Sequence, residues 1–411
     1  MHDLTPRNAP GAQHATASER ASPWVAITAI VLVAIDLRPG IVSIGPVLPA
    51  IREHFALTHS VAALMTTIPD FLMGLLALPT PSLARRFGRD RVVIAALSLL
   101  LVSMAARAFA PNALILLLAT AGVGAGIAIA GTLIAGFIKA SFPTKAALLM
   151  GIYAMALSTG STASAALTGP VAAGAFGGWR EAIGMWALLG VIAIPAWLVV
   201  ARGAHRAPSL PAAKVALPVR NGTAWRVALY FAFDNFLFYA FVSWTASIYR
   251  EAGFSTSKAG LVLATFTAAF TVATFAFGWR SKSEDRRFWL LLCGLLTTAG
   301  IVSLALAPMA APFVSVSVAA LGLGGGFSLG MTLPLDNTDS VESANTWTAF
   351  VLTVGYLIAA FGPLSVGALR DASSSFGSSL WLMCAVSAGM VALAPFLQPH
   401  RSRGVGSQAG R

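Results

Sequence analysis

Charge is what this sequence has least of. Only 10% of its 411 residues are Asp, Glu, Lys or Arg, against about 25% in an ordinary soluble domain. Hydrophobic residues make up 57%, and the mean hydropathy is +0.78. So few ionic groups cannot cover a water-facing surface, and the chain reads as a polytopic, all-α membrane protein. Cysteine is nearly missing too. Cys293 and Cys384 both fall in apolar runs, which excludes a disulfide framework or a thiolate metal site and leaves them as small core residues. The six histidines have no ligand spacing, so no metal is expected. The apolar runs carry neither a nucleophile–base set nor a cofactor motif, which argues against an enzyme and against any cofactor. Acidic residues are outnumbered, 15 against 27 basic, for a net charge of +12. The basic residues sit in short clusters between apolar runs, a pattern of membrane topology and not of nucleic-acid binding.

What is present is apolar length. A spanning helix needs about 20 apolar residues. On that basis the chain holds twelve segments: 24–48, 59–80, 92–110, 113–138, 147–173, 181–201, 225–249, 258–278, 288–308, 311–335, 345–368 and 378–397. A signal peptide over 1–35 is the competing reading of the start. It fails because the apolar run meets no small-residue cleavage site and continues through Arg38 into a full span. With the N-terminus in the cytoplasm, inside segments hold 20 of the 27 basic residues and outside segments 5. That asymmetry predicts both termini inside a bacterial inner membrane. The expected layout is a disordered tail at 1–23, a six-helix half at 24–201, a Pro-containing basic linker at 202–224, a second half at 225–397 and a tail at 398–411. A monomer is expected.

The halves repeat. Asp36 and Asp234 are 198 apart, and each stands 16 residues before an Arg-Glu pair, Arg52-Glu53 and Arg250-Glu251. Gly122, Gly124 and Gly126, followed by Thr132-Leu133, recur as Gly322, Gly324 and Gly326, followed by Thr332-Leu333. Gly169-Pro170 with Gly174-Ala175 recurs as Gly362-Pro363 with Gly367-Ala368. Six helices per half make this a parallel repeat, and such repeats place substrate sites between the halves near the midplane.

The stretch with most chemistry is Asp36-Leu37-Arg38-Pro39-Gly40, inside the first segment. A charge at mid-bilayer costs roughly 2.5–3.5 kcal/mol on insertion scales, and here there are two. Pro39 withholds an N–H from the carbonyl of Ile35 and breaks the helix. Irregular backbone at that depth is tolerated only against protein or a water-filled cavity. Arg38 stays charged and presents a rigid fork of donors, as an anion anchor would; the plainer role is an ion pair with Asp70 or Asp36. Asp36, Asp70 and Asp234 are candidates to carry a coupling proton, because desolvation favours the neutral carboxyl group. Arg107 lies close enough to the end of its segment to snorkel to the interface.

Other features have structural readings beside functional ones. The seventh segment carries Phe231, Phe233, Phe236, Phe238, Tyr239, Phe241, Trp244 and Tyr249, too many for one face. The phenylalanines are expected against lipid, while Asn235, Tyr239 and Trp244 have polar atoms suited to a cavity. The glycine row at 122–126 lacks the third glycine of a dinucleotide fingerprint and follows no strand, so it reads as close helix packing. Gly169-Pro170 and Gly362-Pro363 read as packing and hinge points. The loop Leu83–Arg91 is a solvated basic loop in its plain reading.

Twelve segments, the six-plus-six repeat and a Gly88-Arg89 loop after the second segment resemble the major facilitator superfamily. In that loop Arg86, Gly88 and Arg89 match the superfamily signature, while Arg85 and Asp90 reverse its charges. The match implies a conformational role for Arg86, Gly88 and Arg89, and hinge roles for Pro39, Gly169, Pro170, Gly362 and Pro363. The fifth segment (Ala165, Gly169, Pro170, Ala173, Gly174) is similar to a pattern of proton-coupled exporters. Leu37-Arg38-Pro39 with Ser43-Ile44-Gly45-Pro46, Gly126–Ala130 with Phe142-Pro143, Trp244, and Gly355–Pro363 resemble the cyanate and 2-nitroimidazole transporter (CynX/NimT) family. That family more often carries an amide where Asp36 and Asp234 stand.

The resemblance implies a secondary active transporter working by alternating access on a small anionic or electron-rich solute, with protons as a coupling ion. The expected substrate residues are Arg38, Asp36, Asp234, Asn235, Tyr239 and Trp244. An exporter of drug-like aromatic solutes is the alternative. A membrane sensor is disfavoured because the linker and tails are too short for a signalling domain.

Overall fold

The computed structural model describes residues 23–174, 177–203, 216–280, 285–338 and 340–398. The predicted tails, and most of the linker, lie outside the described residues. Among the described residues the secondary structure is helical, with no strand. Eleven helical stretches there are long and apolar enough to cross a membrane. The fifth predicted span, Ala146–Ala173, is 28 residues long and brings the architecture to twelve. Ser158, Thr159, Ser161, Thr162 and Ser164 make it more polar than its neighbours.

The spans in order are Pro23–Phe55, His59–Ala77, Arg89–Ala108, Ala113–Ser141, Ala146–Ala173, Trp179–Arg202, Gly222–Glu251, Thr256–Arg280, Arg287–Leu306, Pro312–Gly330, Ser343–Ser373 and Gly377–Phe396. The near face is the one where the first span starts, and the far face is where it ends. Local chemistry sets the ends. Ala56 closes the first span in the left-handed region at φ 51°, with the Leu57 amide donating back to the Arg52 carbonyl at 2.9 Å. Asn112 and Asn221 cap the fourth and seventh spans, accepting from Ile115 and from Thr223 and Ala224.

Packing follows the repeat. In the first half the fourth span packs on the second and third, and the first on the fifth and sixth. In the second half the tenth packs on the eighth and ninth, and the seventh on the eleventh and twelfth. Two large contacts join the halves, fifth span on eighth and second on eleventh, and the repeat exchanges one for the other. The far end of the first span, Ile44–Phe55, lies on the seventh.

Three expectations need correction. The first span does not end near 48 but continues to Phe55, because the turns at Arg38 and Ser43 redirect the helix without stopping it. The tenth ends at Gly330, and Leu333–Asp336 is a separate turn begun by Pro334. Four of the five phenylalanines of the seventh span do not face lipid, and Phe233 is half-buried. Phe231, Phe236, Phe238 and Phe241 are buried, and 89% of that span's most apolar window is enclosed. The reason is position: this helix touches the first, eighth, tenth, eleventh and twelfth spans, so every face meets protein.

Candidate functional site

The site grows from the break in the first span. Helix Pro23–Leu37 stops at Arg38, a short turn Pro39–Val42 follows, and helix Ile44–Phe55 resumes after Ser43. Ser43 Oγ donates to the Pro39 carbonyl at 2.5 Å, and the Ile41 and Val42 amides both donate to the Arg38 carbonyl at 3.1 Å. The turn is thus pinned by its own bonds.

Arg38 lies in the middle of the bundle yet keeps accessible surface. Its Nη1 approaches the Tyr239 hydroxyl at 3.4 Å, a long contact for a hydrogen bond. Among the described residues no carboxylate comes within 4.0 Å of it. The predicted ion pair with Asp70 or Asp36 is therefore not formed. Asp70, Tyr153 and Tyr356 surround the guanidinium within electrostatic reach. Tyr239 contacts Met73 Sδ at 3.9 Å, and its ring lies 6.3 Å from that of Tyr356. Phe231, packed 5.9 Å from Tyr356 and 5.7 Å from Phe327, extends an aromatic wall into the second half. A half-buried guanidinium with no carboxylate within 4.0 Å among the described residues and the Tyr239 hydroxyl beside it can hold a small anion or the oxygen end of a nitro group. A small apolar gap lined by Phe241, Tyr249, Leu304 and Leu380 lies elsewhere, inside the second half.

The other predicted residues are spread. Asp36 and Asp234 are fully buried, and neither carboxyl group has a hydrogen-bond partner. Asp234 turns into its own half: a side chain on Gly326 of the tenth span would strike its Oδ1 and lie 3.4 Å from the Tyr230 hydroxyl. Asp70 is also fully buried and unpartnered. Asn235 donates to the Phe231 carbonyl one turn back at 2.9 Å. Trp244 Nε1 donates to the Pro363 carbonyl at 2.9 Å, toward the far face. A side chain on Gly169 would meet the Thr256 carbonyl of the eighth span at 2.9 Å, and one on Gly362 would strike the Phe236 carbonyl. Pro170 is exposed near the end of the fifth span. Gly88 has φ +90°, a conformation that favours glycine. Beside it, Arg86 stacks on Phe87, while Arg89 bonds Asp90 at 3.1 Å and lies 4.6 Å above the Phe137 ring.

Arg107 is a further correction. It does not snorkel. The side chain is fully buried, and Nη2 donates to the Gly40 carbonyl at 2.8 Å. That carbonyl lies in the turn that follows Arg38, so a partner in the broken first span draws the guanidinium inward.

At the far face the halves are latched. Asp371, near the end of the eleventh span, accepts four bonds from the start of the second. The His59 amide and Nδ1 reach Oδ1 at 2.9 and 2.7 Å, and the Ser60 amide and Oγ reach Oδ2 at 2.8 and 2.6 Å. Exposed amides and the helix dipole make such an N-terminus a natural carboxylate site. His59 Nε2 stands 3.6 Å from Glu251, which Arg370 holds at 3.1 Å. Closer to the middle, Thr66 bonds Ser243 across the halves at 2.7 Å. Gly45 lies against the Val242 carbonyl so tightly that a side chain there would strike it.

Residues 28–363 match the Major Facilitator Superfamily. The chain belongs to that superfamily. It is 30% identical over 351 residues to the cyanate transport protein CynX of Escherichia coli (strain K12), spanning 84% of this chain and 90% of that one. It is 29% identical over 365 residues to the 2-nitroimidazole transporter of the same organism, spanning 87% and 91%. Among solved structures, a bacterial homologue of the human lysosomal transporter Spinster, inward-facing and unoccupied, superposes with a TM-score of 0.71 at 20% identity, covering 92% of this chain and 95% of that one. A D-xylose–proton symporter gives 0.70 at 16% identity, covering 91% and 96%. The protein is therefore an integral membrane transporter of the superfamily, and not an enzyme.

Of the residues singled out from the sequence, the fold brings Arg38 and Tyr239 together, with Asp70 within electrostatic reach. Tyr153 and Tyr356, not among those candidates, lie within the same reach. Both are polar groups inside apolar runs, the one signal that would have marked them.

Proposed function

We propose that this superfamily transporter moves a small anionic or electron-rich solute, of the cyanate or nitroimidazole kind, by alternating access and with a proton as coupling ion. The observation that carries the reading is Arg38: a midspan guanidinium that is only half-buried, has no carboxylate partner among the described residues and lies beside the Tyr239 hydroxyl, with Tyr153 and Tyr356 within electrostatic reach. Its charge needs a counter-ion, and the solute supplies one. The relatives named for cyanate and 2-nitroimidazole transport support that class. The basic clusters support a bacterial inner membrane with both termini cytoplasmic, and we take the working unit as a monomer.

In that orientation the far face is the outside, and the Asp371 latch is the outer gate. Opening it breaks the four bonds to His59 and Ser60 and parts Gly45 from Val242. Solute and proton together need only favour one facing state over the other to shift the population. Asp36, Asp70 and Asp234 are the proton-carrying candidates, with Asp70 the one beside the solute.

The test is flux in proteoliposomes loaded with a pH dye. The panel is cyanate, nitrate, small carboxylates, 2-nitroimidazole and cationic drugs, with and without a proton gradient. Saturable uptake of cyanate or 2-nitroimidazole with proton movement, lost in Arg38→Gln, is expected. Transport confined to cationic drugs would replace this reading with drug export. Solute uptake without a proton signal would remove the carboxylates from the mechanism.

A further inference from the structure

Arg107 belongs to no part of the mechanism so far. Its side chain has no exposed surface, yet among the described residues no carboxylate lies within 4.0 Å, and Nε and Nη1 find no partner. A buried cation without an acid is costly, so it needs a compensating use. Its single bond, 2.8 Å from Nη2 to the Gly40 carbonyl, is charge-assisted and reaches the backbone two residues beyond Arg38.

The same turn is held from other sides. A side chain at Gly40 would lie 2.8 Å from Val123 and 3.4 Å from Ile127 of the fourth span, so that span seats the turn closely. Ser43 Oγ ties the Pro39 carbonyl. Pro39 has removed one of the helix bonds that would otherwise hold this backbone. The third span, through Arg107, and the fourth, through Val123, therefore fix the direction in which Arg38 leaves the chain.

We propose that Arg107 is a positioning residue: it holds the Gly40 carbonyl, and through that turn it sets the geometry in which Arg38 meets the transported anion. The proposal rests on the reading of Arg38 as the solute anchor. It distinguishes two arginines inside the bundle with separate tasks, a half-buried one touching the solute and a buried one touching only the backbone that presents the first.

Two measurements test it on the full-length protein. The first is independent of any substrate: modification of Arg38 by phenylglyoxal, quantified by peptide mass spectrometry. Arg38 should react severalfold faster in Arg107→Met and return close to the wild-type rate in Arg107→Lys, which keeps one cationic donor. Unchanged Arg38 reactivity in Arg107→Met would overturn the proposal. Arg107→Gln, neutral and too short to reach, takes its place if the Met variant does not elute as a monodisperse peak.

The second is the KM for [14C]cyanate and for 2-nitroimidazole in proteoliposomes. Arg107→Met should raise KM roughly tenfold with Vmax little changed, the size expected for one charge-assisted bond. With Arg38→Lys already present, which leaves residual uptake to measure, Arg107→Met should add no more than about twofold, because both act through one group. Effects that multiply would assign Arg107 a role apart from Arg38. If neither solute moves in the wild type, the functional reading falls, and Arg38 reactivity alone decides the positioning role.

Discussion

The first and seventh spans hold corresponding places in the two halves, and they are built in opposite ways. The first is broken at Arg38 and Ser43. The seventh runs unbroken for 30 residues, Gly222–Glu251. Asp36 and Asp234 correspond across the 198-residue offset, but the offset sets Arg38-Pro39-Gly40 against Phe236-Leu237-Phe238. One half offers a bent backbone and a cation. The other offers an unbroken helix and a row of aromatic side chains. The repeat has kept the scaffold and let the chemistry at these positions diverge, so the proposed site is asymmetric although the fold is not.

That contrast can be broken from either side. The largest effect should come from Leu237→Pro, which puts the first span's break into the seventh. A proline inside a helix costs about 3 kcal/mol or more, and here no Ser43-like hydroxyl stands ready to pin the turn. We expect loss of the monodisperse peak in size-exclusion chromatography of the detergent-solubilised protein. Next is Arg38→Lys, which keeps the charge and loses the fork. Initial cyanate or 2-nitroimidazole uptake should fall at least about tenfold, and unchanged uptake would remove Arg38 as the solute anchor.

Asp371→Asn should act more mildly. It weakens the charge-assisted bonds at the far face, each worth about 1.5–3 kcal/mol. A Val61→Cys reporter, with Cys293 and Cys384 replaced, should then label severalfold faster with an impermeant thiol reagent; equal rates would mean that the latch does not hold that face closed. The smallest effect on solute binding should be that of Asp36→Asn and Asp234→Asn, with KM expected to stay within about twofold, as for changes that leave the solute contacts alone. The pH-dye signal separates the pair. Loss in only one variant would show that the halves diverged in coupling as they did in backbone.

Local chemistry was legible in the sequence, and distant pairing was not. A proline beside two charges inside an apolar run announced the break at Arg38, because its cause lies in neighbouring residues. The repeat was visible because its markers (acid, Arg-Glu pair, glycine row) keep their spacing. Tyr153 and Tyr356 sit in the fifth and eleventh spans, and only the folded bundle brings them to Arg38. Asp371 lies 312 residues from His59, and nothing near either announces the other. The inward turn of Arg107 leaves no mark in the sequence, because its partner is a backbone carbonyl, which every residue carries. The number of phenylalanines in the seventh span points to lipid, but that helix is central in its half and buries all of them except Phe233.

The far-face latch has a consequence for how freely this sequence can drift. Two of the four bonds to Asp371 come from backbone amides, which any residue but proline supplies. Substitutions at positions 59 and 60 therefore remove at most the side-chain half of the attachment. Position 371 has no such reserve, since one carboxylate serves all four donors. Tolerance at this gate is lopsided: a library randomised at 59 and 60 should retain many working transporters, and one randomised at 371 very few.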